Sequence, residues 1–329
     1  MRKIFLFLIV LLLLCGCARQ EQTAPVSTAS IVPTAAPTEI PVTVPPAVES
    51  EAAALVEAPP PAVSVVLVSE ASGEQEARCD DAVIDYSHTE DGYIMARYLS
   101  QTDKRLKLRV VGPTTTYTYN LPVDEWTVFP LSDGNGIYTA ALYINTHDSK
   151  YATVMTTQFQ VELKDEFAPF LRPNQYVDYS DAPDTVAKGA ELCAGLTDPL
   201  EKVAAVYDYV VATLTYDEDR AATVKSGYLP VLDEVLAEKK GICFDYAALM
   251  TAMLRSQEVP CKLVVGYAGD IYHAWISVWT EHNGWVDGAI FFDGHAWKRM
   301  DPTFASSGER SAEVMEFIEN GNYTVKYLY

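Results

Sequence analysis

The strongest constraint on the fold is a change in hydrophobic patterning near Pro173. Before it, β-branched and aromatic runs separated by turn-forming residues predict strands over 93–99, 106–111, 114–121, 126–131, 137–144 and 151–163. After it, apolar residues recur at helical spacing, first behind Asp198 and Pro199, which are a good cap and a good first helical residue. The chain is therefore predicted to be α+β, with a small all-β immunoglobulin-like sandwich before a mixed domain.

The N-terminus is typical of an exported protein. Arg2 and Lys3 precede an apolar run over residues 4–14, which is shorter than the roughly 20 residues that a spanning helix needs. Such a segment is typical of a signal peptide. Residues 14–17 (Leu-Cys-Gly-Cys) resemble a bacterial lipobox with Cys17 as the lipid-modified residue; an ordinary cleaved signal peptide is the alternative. We expect a lipoprotein signal peptide over residues 1–16 and a membrane-anchored, extracytoplasmic lipoprotein on the cell surface or the periplasmic face.

A proline-rich segment follows the lipobox. Nine of the nineteen prolines lie between Pro25 and Pro61, and such segments favour extended, unpacked conformations. The composition predicts a disordered tether over residues 17–78. The domains that follow are predicted to be the sandwich over 79–165 and the mixed domain over 166–329.

Charge limits the possible partners. The chain has 24 Lys and Arg against 45 Asp and Glu, a formal net charge of −21. A surface of that sign repels phosphate backbones, so nucleic acid is excluded as a partner. Within the strand-rich region, alternating tyrosines such as Tyr117 and Tyr119 could form a carbohydrate platform, but they are more typical of a packed core.

The residue that points to chemistry is Cys243. It lies two residues after Gly241, in the first turn of a predicted helix that continues to about Ser256 and has apolar residues around almost its whole circumference. A cysteine in a first turn is close to unpaired amides and the positive dipole end, which favour the thiolate. The alternative is a buried, unreactive cysteine.

Two further residues could complete a catalytic site. Strands are predicted over 262–267 and 272–279, with His273 near the start of the second, and a hairpin over 289–300 ends at Asp301. A cysteine nucleophile needs a base, and the base needs a group that fixes its tautomer. The order Cys243, His273, Asp301 fits those three roles.

These residues lie in motifs that resemble a known family, the bacterial transglutaminase-like domain of the papain-like cysteine fold. The resemblance covers roughly residues 180–305, in Gly241-Ile242-Cys243 with Asp245-Tyr246-Ala247, Val259-Pro260, Val265-Gly266-Tyr267, His273-Ala274-Trp275, and Trp297 with Asp301-Pro302-Thr303. It implies a central cysteine-bearing helix packed on an antiparallel sheet. It also implies Cys243 as nucleophile, His273 as general base and acid, and Asp301 as the residue that orients His273. Nothing resembles a calcium loop, so no metal or other cofactor is expected.

The implied reaction is acyl transfer through a thioester to water or to an amine. Bacterial members of the family include proteases, amidases and cross-linking enzymes. We expect an extracytoplasmic cysteine acyl-transfer enzyme that acts on peptide or glutamine-type amides of protein or cell-wall peptide substrates. The backbone N–H of Cys243 should help to stabilise the oxyanion, with Tyr228 or Trp275 as candidate side-chain donors. The alternative is a non-catalytic surface binding or assembly module that keeps the fold.

Overall fold

The computed structural model describes residues 60–281, 284–287, 290–292, 297–299 and 323–329, all within the compact unit Glu57–Tyr329. Cys17 and Asp301 lie outside the described residues, and so do residues 311–320, whose sequence pattern predicts a helix. Among the described residues, no helix combines the length and the apolar character that a bilayer crossing requires.

The first part of the described chain consists of two four-stranded antiparallel sheets. One has the order β1-β2-β3-β6 and the other β5-β4-β7-β8. Their strands are β1 (Glu76–Arg78), β2 (Ala82–Asp85), β3 (Tyr93–Tyr98), β4 (Leu106–Val111), β5 (Thr116–Leu121), β6 (Thr127–Pro130), β7 (Gly136–His147) and β8 (Lys150–Val161). All six predicted strands are confirmed.

The two sheets share one aromatic core. Tyr119 of β5 contacts Phe129 of β6 in the other sheet, with ring centroids 4.9 Å apart, and both side chains are fully buried. Tyr117 and Tyr138 are buried as well. The tyrosines are therefore core residues, as their alternation along the strand predicted. They do not form a carbohydrate platform.

The second part combines helices with shorter strands. Its helices are α1 (Pro183–Leu192), α2 (Pro199–Thr213), α3 (Glu218–Thr223), α4 (Leu232–Glu238) and α5 (Cys243–Arg255). Its strands are β9 (Thr215–Tyr216), β10 (Lys240–Gly241), β11 (Cys261–Ala268), β12 (Ile271–Thr280), β13 (Gly284–Asp287), β14 (Ile290–Phe292), β15 (Trp297–Arg299) and β16 (Tyr323–Leu328). An antiparallel sheet has the order β13-β12-β11-β16, and β14 pairs with β15 as the predicted hairpin requires.

Helix α5 packs against one face of the β13-β12-β11-β16 sheet. Cys261 at the start of β11 lies with its Sγ 3.6 Å from Thr251 Oγ1 of α5. The same face contributes Leu263, Val265, Ala274, Ile276 and Val278 to the core. The chain thus has the predicted α+β fold, in which a central helix that begins with a cysteine packs on an antiparallel sheet.

The end of the predicted tether differs from the prediction. The N–H of Ala62 donates to the carbonyl of Ala190 (2.9 Å), and that of Val65 donates to the carbonyl of Ser256 (2.8 Å). Both acceptors lie at the C-terminal ends of helices, where carbonyls have no intrahelical partner. Residues 60–78 therefore dock on the folded part through backbone bonds that their proline-rich composition does not indicate. The remaining domain boundaries stay predictions.

Candidate active site

Cys243 occupies a distinctive position, because it is the first residue of a helix that is buried from its third residue onward. Every residue of α5 from Asp245 to Arg255 is buried, whereas Cys243 is partly exposed and its thiol is free. The helix starts here because the Asp245 carboxylate accepts a hydrogen bond of 2.7 Å from the backbone N–H of Ile242. That bond fixes the chain immediately before the thiol.

Asp245 is the centre of a buried polar network under this first turn. Its side chain has no exposed surface, and it accepts hydrogen bonds from the Tyr228 hydroxyl (2.7 Å) and from Arg220 Nη1 (3.4 Å). Burial raises the pKa of Asp245 and outweighs the opposing effect of these donors. Since Tyr228 donates its single proton to Asp245, that proton is already committed, which argues against Tyr228 as the oxyanion donor.

The raised pKa of Asp245 predicts a pH-dependent stability term. A carboxyl group whose pKa is raised from 3.8 by folding binds its proton more tightly when folded, so its contribution to stability falls as pH rises through that range. Asn at this position does not titrate. The stability advantage of the wild type over Asp245→Asn should therefore shrink as the pH rises above the ordinary carboxyl pKa near 4. Urea unfolding of both proteins across this range measures the difference, and an advantage that grows with pH would contradict the assignment.

His273 is the third residue of β12 and is almost fully buried, at 5% exposure. Its ring stacks near that of Trp275, with centroids 6.5 Å apart, and it lies opposite Gly266 in the register of β11 and β12. A Cβ on Gly266 would come within 2.0 Å of the Thr324 carbonyl oxygen. Only glycine therefore allows β16 to approach the sheet beside His273.

The thiol and the start of β12 lie close together. Tyr272, the neighbour of His273, has a pKa that is raised mainly by burial, and the nearby Cys243 thiol adds to this effect. Consecutive side chains on a strand point to opposite faces, so Tyr272 shares the α5 face while His273 lies on the face of Trp275. Asp301 lies outside the described residues. The role of Cys243, His273 and Asp301 as a triad stays a prediction.

The four cysteines of the described region differ in accessibility. All are free thiols; Cys193 and Cys261 are buried, whereas Cys79 and Cys243 are partly exposed. Burial raises the pKa of Cys261 to about 11 and also raises that of Cys193, so both should stay protonated at neutral pH.

Brief alkylation of the native protein with iodoacetamide should therefore modify Cys79 and Cys243 and spare Cys193 and Cys261, because the reagent needs an accessible thiolate. Peptide mapping by mass spectrometry measures the labelling at each site. The same reaction in urea is the control and should label all four. Native labelling of Cys261 as fast as that of Cys243 would show that the sheet beneath α5 is open.

No group of three or more His, Cys, Asp or Glu side chains within the described ranges is placed to hold a metal ion. The chain segment around Asp301 is outside those ranges, so the expectation that the protein uses no metal stays a prediction.

Comparison with known families bears on this site directly. Residues 187–288, from α1 through β13, match the family model Transglut_core, the transglutaminase-like superfamily. These residues form a transglutaminase-like domain. The match includes Cys243 and His273 and ends before Asp301. A transglutaminase-like domain supports a cysteine acyltransferase or protease type of function.

Two curated proteins are similar over part of the chain. The uncharacterized protein YebA of Bacillus subtilis is 30% identical over 105 residues, covering 26% of this chain and 14% of YebA. A protein-glutamine gamma-glutamyltransferase of Pseudomonas aeruginosa is 27% identical over 141 residues, covering 37% of this chain and 19% of that enzyme. The matched region is therefore less than a fifth of the length of either relative.

Solved structures show weaker likenesses. A provisionally named cysteine protease from Cytophaga hutchinsonii is 16% identical with a TM-score of 0.34, covering 70% of this chain and 68% of that one. Red sea bream transglutaminase is 14% identical with a TM-score of 0.28, covering 71% of this chain and 56% of that one.

Proposed function

We propose that this protein is an extracytoplasmic cysteine acyl-transfer enzyme in which Cys243 attacks peptide or glutamine-type amides. The observation that carries the proposal is the position of Cys243, a partly exposed free thiol on the first residue of a helix that is buried from Asp245 to Arg255. This position lies inside a transglutaminase-like domain. A helix N-terminus favours the thiolate form that such an attack requires.

The proposed reaction has two stages. The Cys243 thiolate adds to the amide carbonyl, the C–N bond breaks, and His273 gives a proton to the departing amine while Asp301 orients its ring. Water or a second amine then attacks the thioester and releases Cys243. The backbone N–H of Cys243 lies in the first turn and has no intrahelical acceptor, so it is the proposed donor to the oxyanion.

The location is proposed from the N-terminal sequence. The lipobox-like residues 14–17 favour Cys17 as a lipid-modified residue that anchors the protein to a membrane. Fractionation of cells that carry Cys17→Ala tests this: the variant should leave the membrane fraction, and unchanged fractionation would contradict lipid attachment.

The activity is tested with dimethylated casein as amide donor and a biotinylated primary amine as acceptor. Mass spectrometry of the casein distinguishes the two reactions: amine incorporation identifies a transglutaminase, and deamidation or chain cleavage identifies a hydrolase. Cys243→Ala is the inactive control, and Cys79→Ala, at the other partly exposed thiol, is the matched active control. Products that persist in Cys243→Ala, or no product at all, would contradict the proposal.

A further inference from the structure

A cavity of about 650 Å³ lies between the edges of the sandwich sheets and the segments that lead to the helices. This volume is within the range of about 300–1,000 Å³ that is typical of ligand sites. Its walls come from the docked N-terminal segment, from β5 and β6, and from the segments before α1 and α4.

Both sandwich sheets present an edge strand to this cavity. Asn120 and Leu121 come from β5, and Thr127 and Val128 come from β6; within the described chain, each strand pairs on one side only. Edge strands carry unpaired N–H and C=O groups that can pair with an added extended peptide. The Asn120 carbonyl on this edge already accepts a hydrogen bond of 2.8 Å, which comes from the side-chain Nε2 of Gln175.

The cavity wall also holds polar atoms that lack a partner. Among the described residues, Ser69 Oγ, Thr127 Oγ1 and Asn174 Nδ2 are buried without a hydrogen bond. Asn174 is only 4% exposed, and its Oδ1 accepts from the N–H groups of Tyr176 (2.9 Å) and Val177 (3.2 Å). Its amide is thus held in one orientation, and Nδ2 is left to donate to an added acceptor. Unsatisfied buried polar groups are rare in folded proteins and indicate a missing partner.

The charge of the wall restricts the ligand. Glu125 and Asp178 line the cavity and are exposed, and the described residues that line it include no Lys, Arg or His. An acidic ligand would meet like charge on a protein that already carries −21. Trp126 is partly exposed and offers an apolar face. A saccharide could use the same amide and hydroxyl groups, but it would not use two strand edges, which favour a peptide.

We propose that this cavity binds an extended polypeptide segment without net negative charge, namely the part of the substrate next to the amide that Cys243 attacks. The cavity adjoins the first turn of α5. Tyr176 and Tyr228, whose chain neighbours Gln175 and Gly227 line the cavity, both contact Phe244 at centroid distances of 5.7 and 6.3 Å. The identity of the segment as substrate rests on the proposed function, whereas peptide binding does not.

The test uses the full chain with Cys243→Ala, so that no bound peptide is consumed. Phage-displayed random decapeptides are selected on this protein, and the enriched clones are then bound to variants that also carry Trp126→Ala or Ser69→Trp. Ser69→Trp fills the cavity without removing an aromatic ring, and circular dichroism checks that each variant is folded. Ile137→Ala, an exposed apolar residue outside the cavity at 60% exposure, is the control. Both cavity variants should weaken binding at least about tenfold, and the control should not.

Three results would overturn the proposal: no enrichment, enriched peptides rich in Asp and Glu, or clones that bind all variants equally. Binding of a mixture of neutral oligosaccharides that is lost in Trp126→Ala, without peptide binding, would identify a saccharide site and also overturn it. Casein conversion by the Cys243 protein is measured separately. If conversion occurs while peptide binding does not depend on the cavity, this inference fails and the proposed function stands. If peptide binding depends on the cavity but no conversion occurs, the peptide site stands and the proposed function fails.

Discussion

Replacing Cys243 with alanine should abolish casein modification, and His273→Ala should slow it by about 10²–10⁴-fold, the usual contribution of a general base. The thiol forms the bond to the substrate, so no other group can replace it. His273 is expected to take up the thiol proton and to protonate the leaving amine. Initial rates measured under saturating amine give both effects.

The two substitutions should also be strongly non-additive. Because both residues serve one step, the double variant should be no slower than Cys243→Ala alone. A second readout separates catalysis from folding: the proposed mechanism has His273 accept the thiol proton, so His273→Ala should slow the alkylation of Cys243 at neutral pH. Alkylation of Cys79 in the same sample is the control. A His273→Ala protein that modifies casein at the wild-type rate, and whose Cys243 is alkylated as in the wild type, would show that His273 has no part in the mechanism.

Local signals were sufficient where they were strong. The predicted strand over 106–111 coincides with β4, because turn residues flank it. Cys243 lies in the first turn of α5 as predicted, because an all-round apolar pattern follows it. Strand β2, Ala82–Asp85, has only four residues, all buried. A run that short gives no alternation from which a strand can be predicted.

The polar network under the thiol could not be predicted in the same way. Asp245 at the third helical position is a recognisable partial capping box, but Arg220 and Tyr228 lie 25 and 17 residues before it. Only the tertiary fold brings their side chains to the Asp245 carboxylate. The docking of residues 60–78 is similar, since its acceptors are carbonyls at helix ends remote in sequence.

The largest loss of stability is expected for Arg255→Ala. Arg255 lies at the end of α5 with only 1% exposure, and its guanidinium donates to three main-chain oxygens: Cys261 (2.8 Å), Arg172 (2.7 Å) and Tyr329 (2.6 Å). One side chain thus joins the central helix to β11, to the segment after the sandwich and to Tyr329, the residue that follows β16. Burial lowers the pKa of Arg255, because the charged guanidinium is removed from water.

Truncation to alanine removes all three donors and leaves a cavity, which together should cost about 3–5 kcal/mol of unfolding free energy. Arg255→Met separates the two effects, because it keeps most of the volume and removes only the donors. Arg97→Ala is the matched control: Arg97 is paired with Asp124 at the surface, where such a pair contributes less than about 1 kcal/mol. Urea unfolding monitored by circular dichroism compares the variants.

A buried charged residue can be replaced by an apolar residue without loss of stability when its partners find other hydrogen bonds. An Arg255→Met protein as stable as the wild type would therefore show that the three oxygens find other donors. A loss close to that of alanine would establish that the hydrogen bonds of Arg255, and not its bulk, hold the sheet against α5.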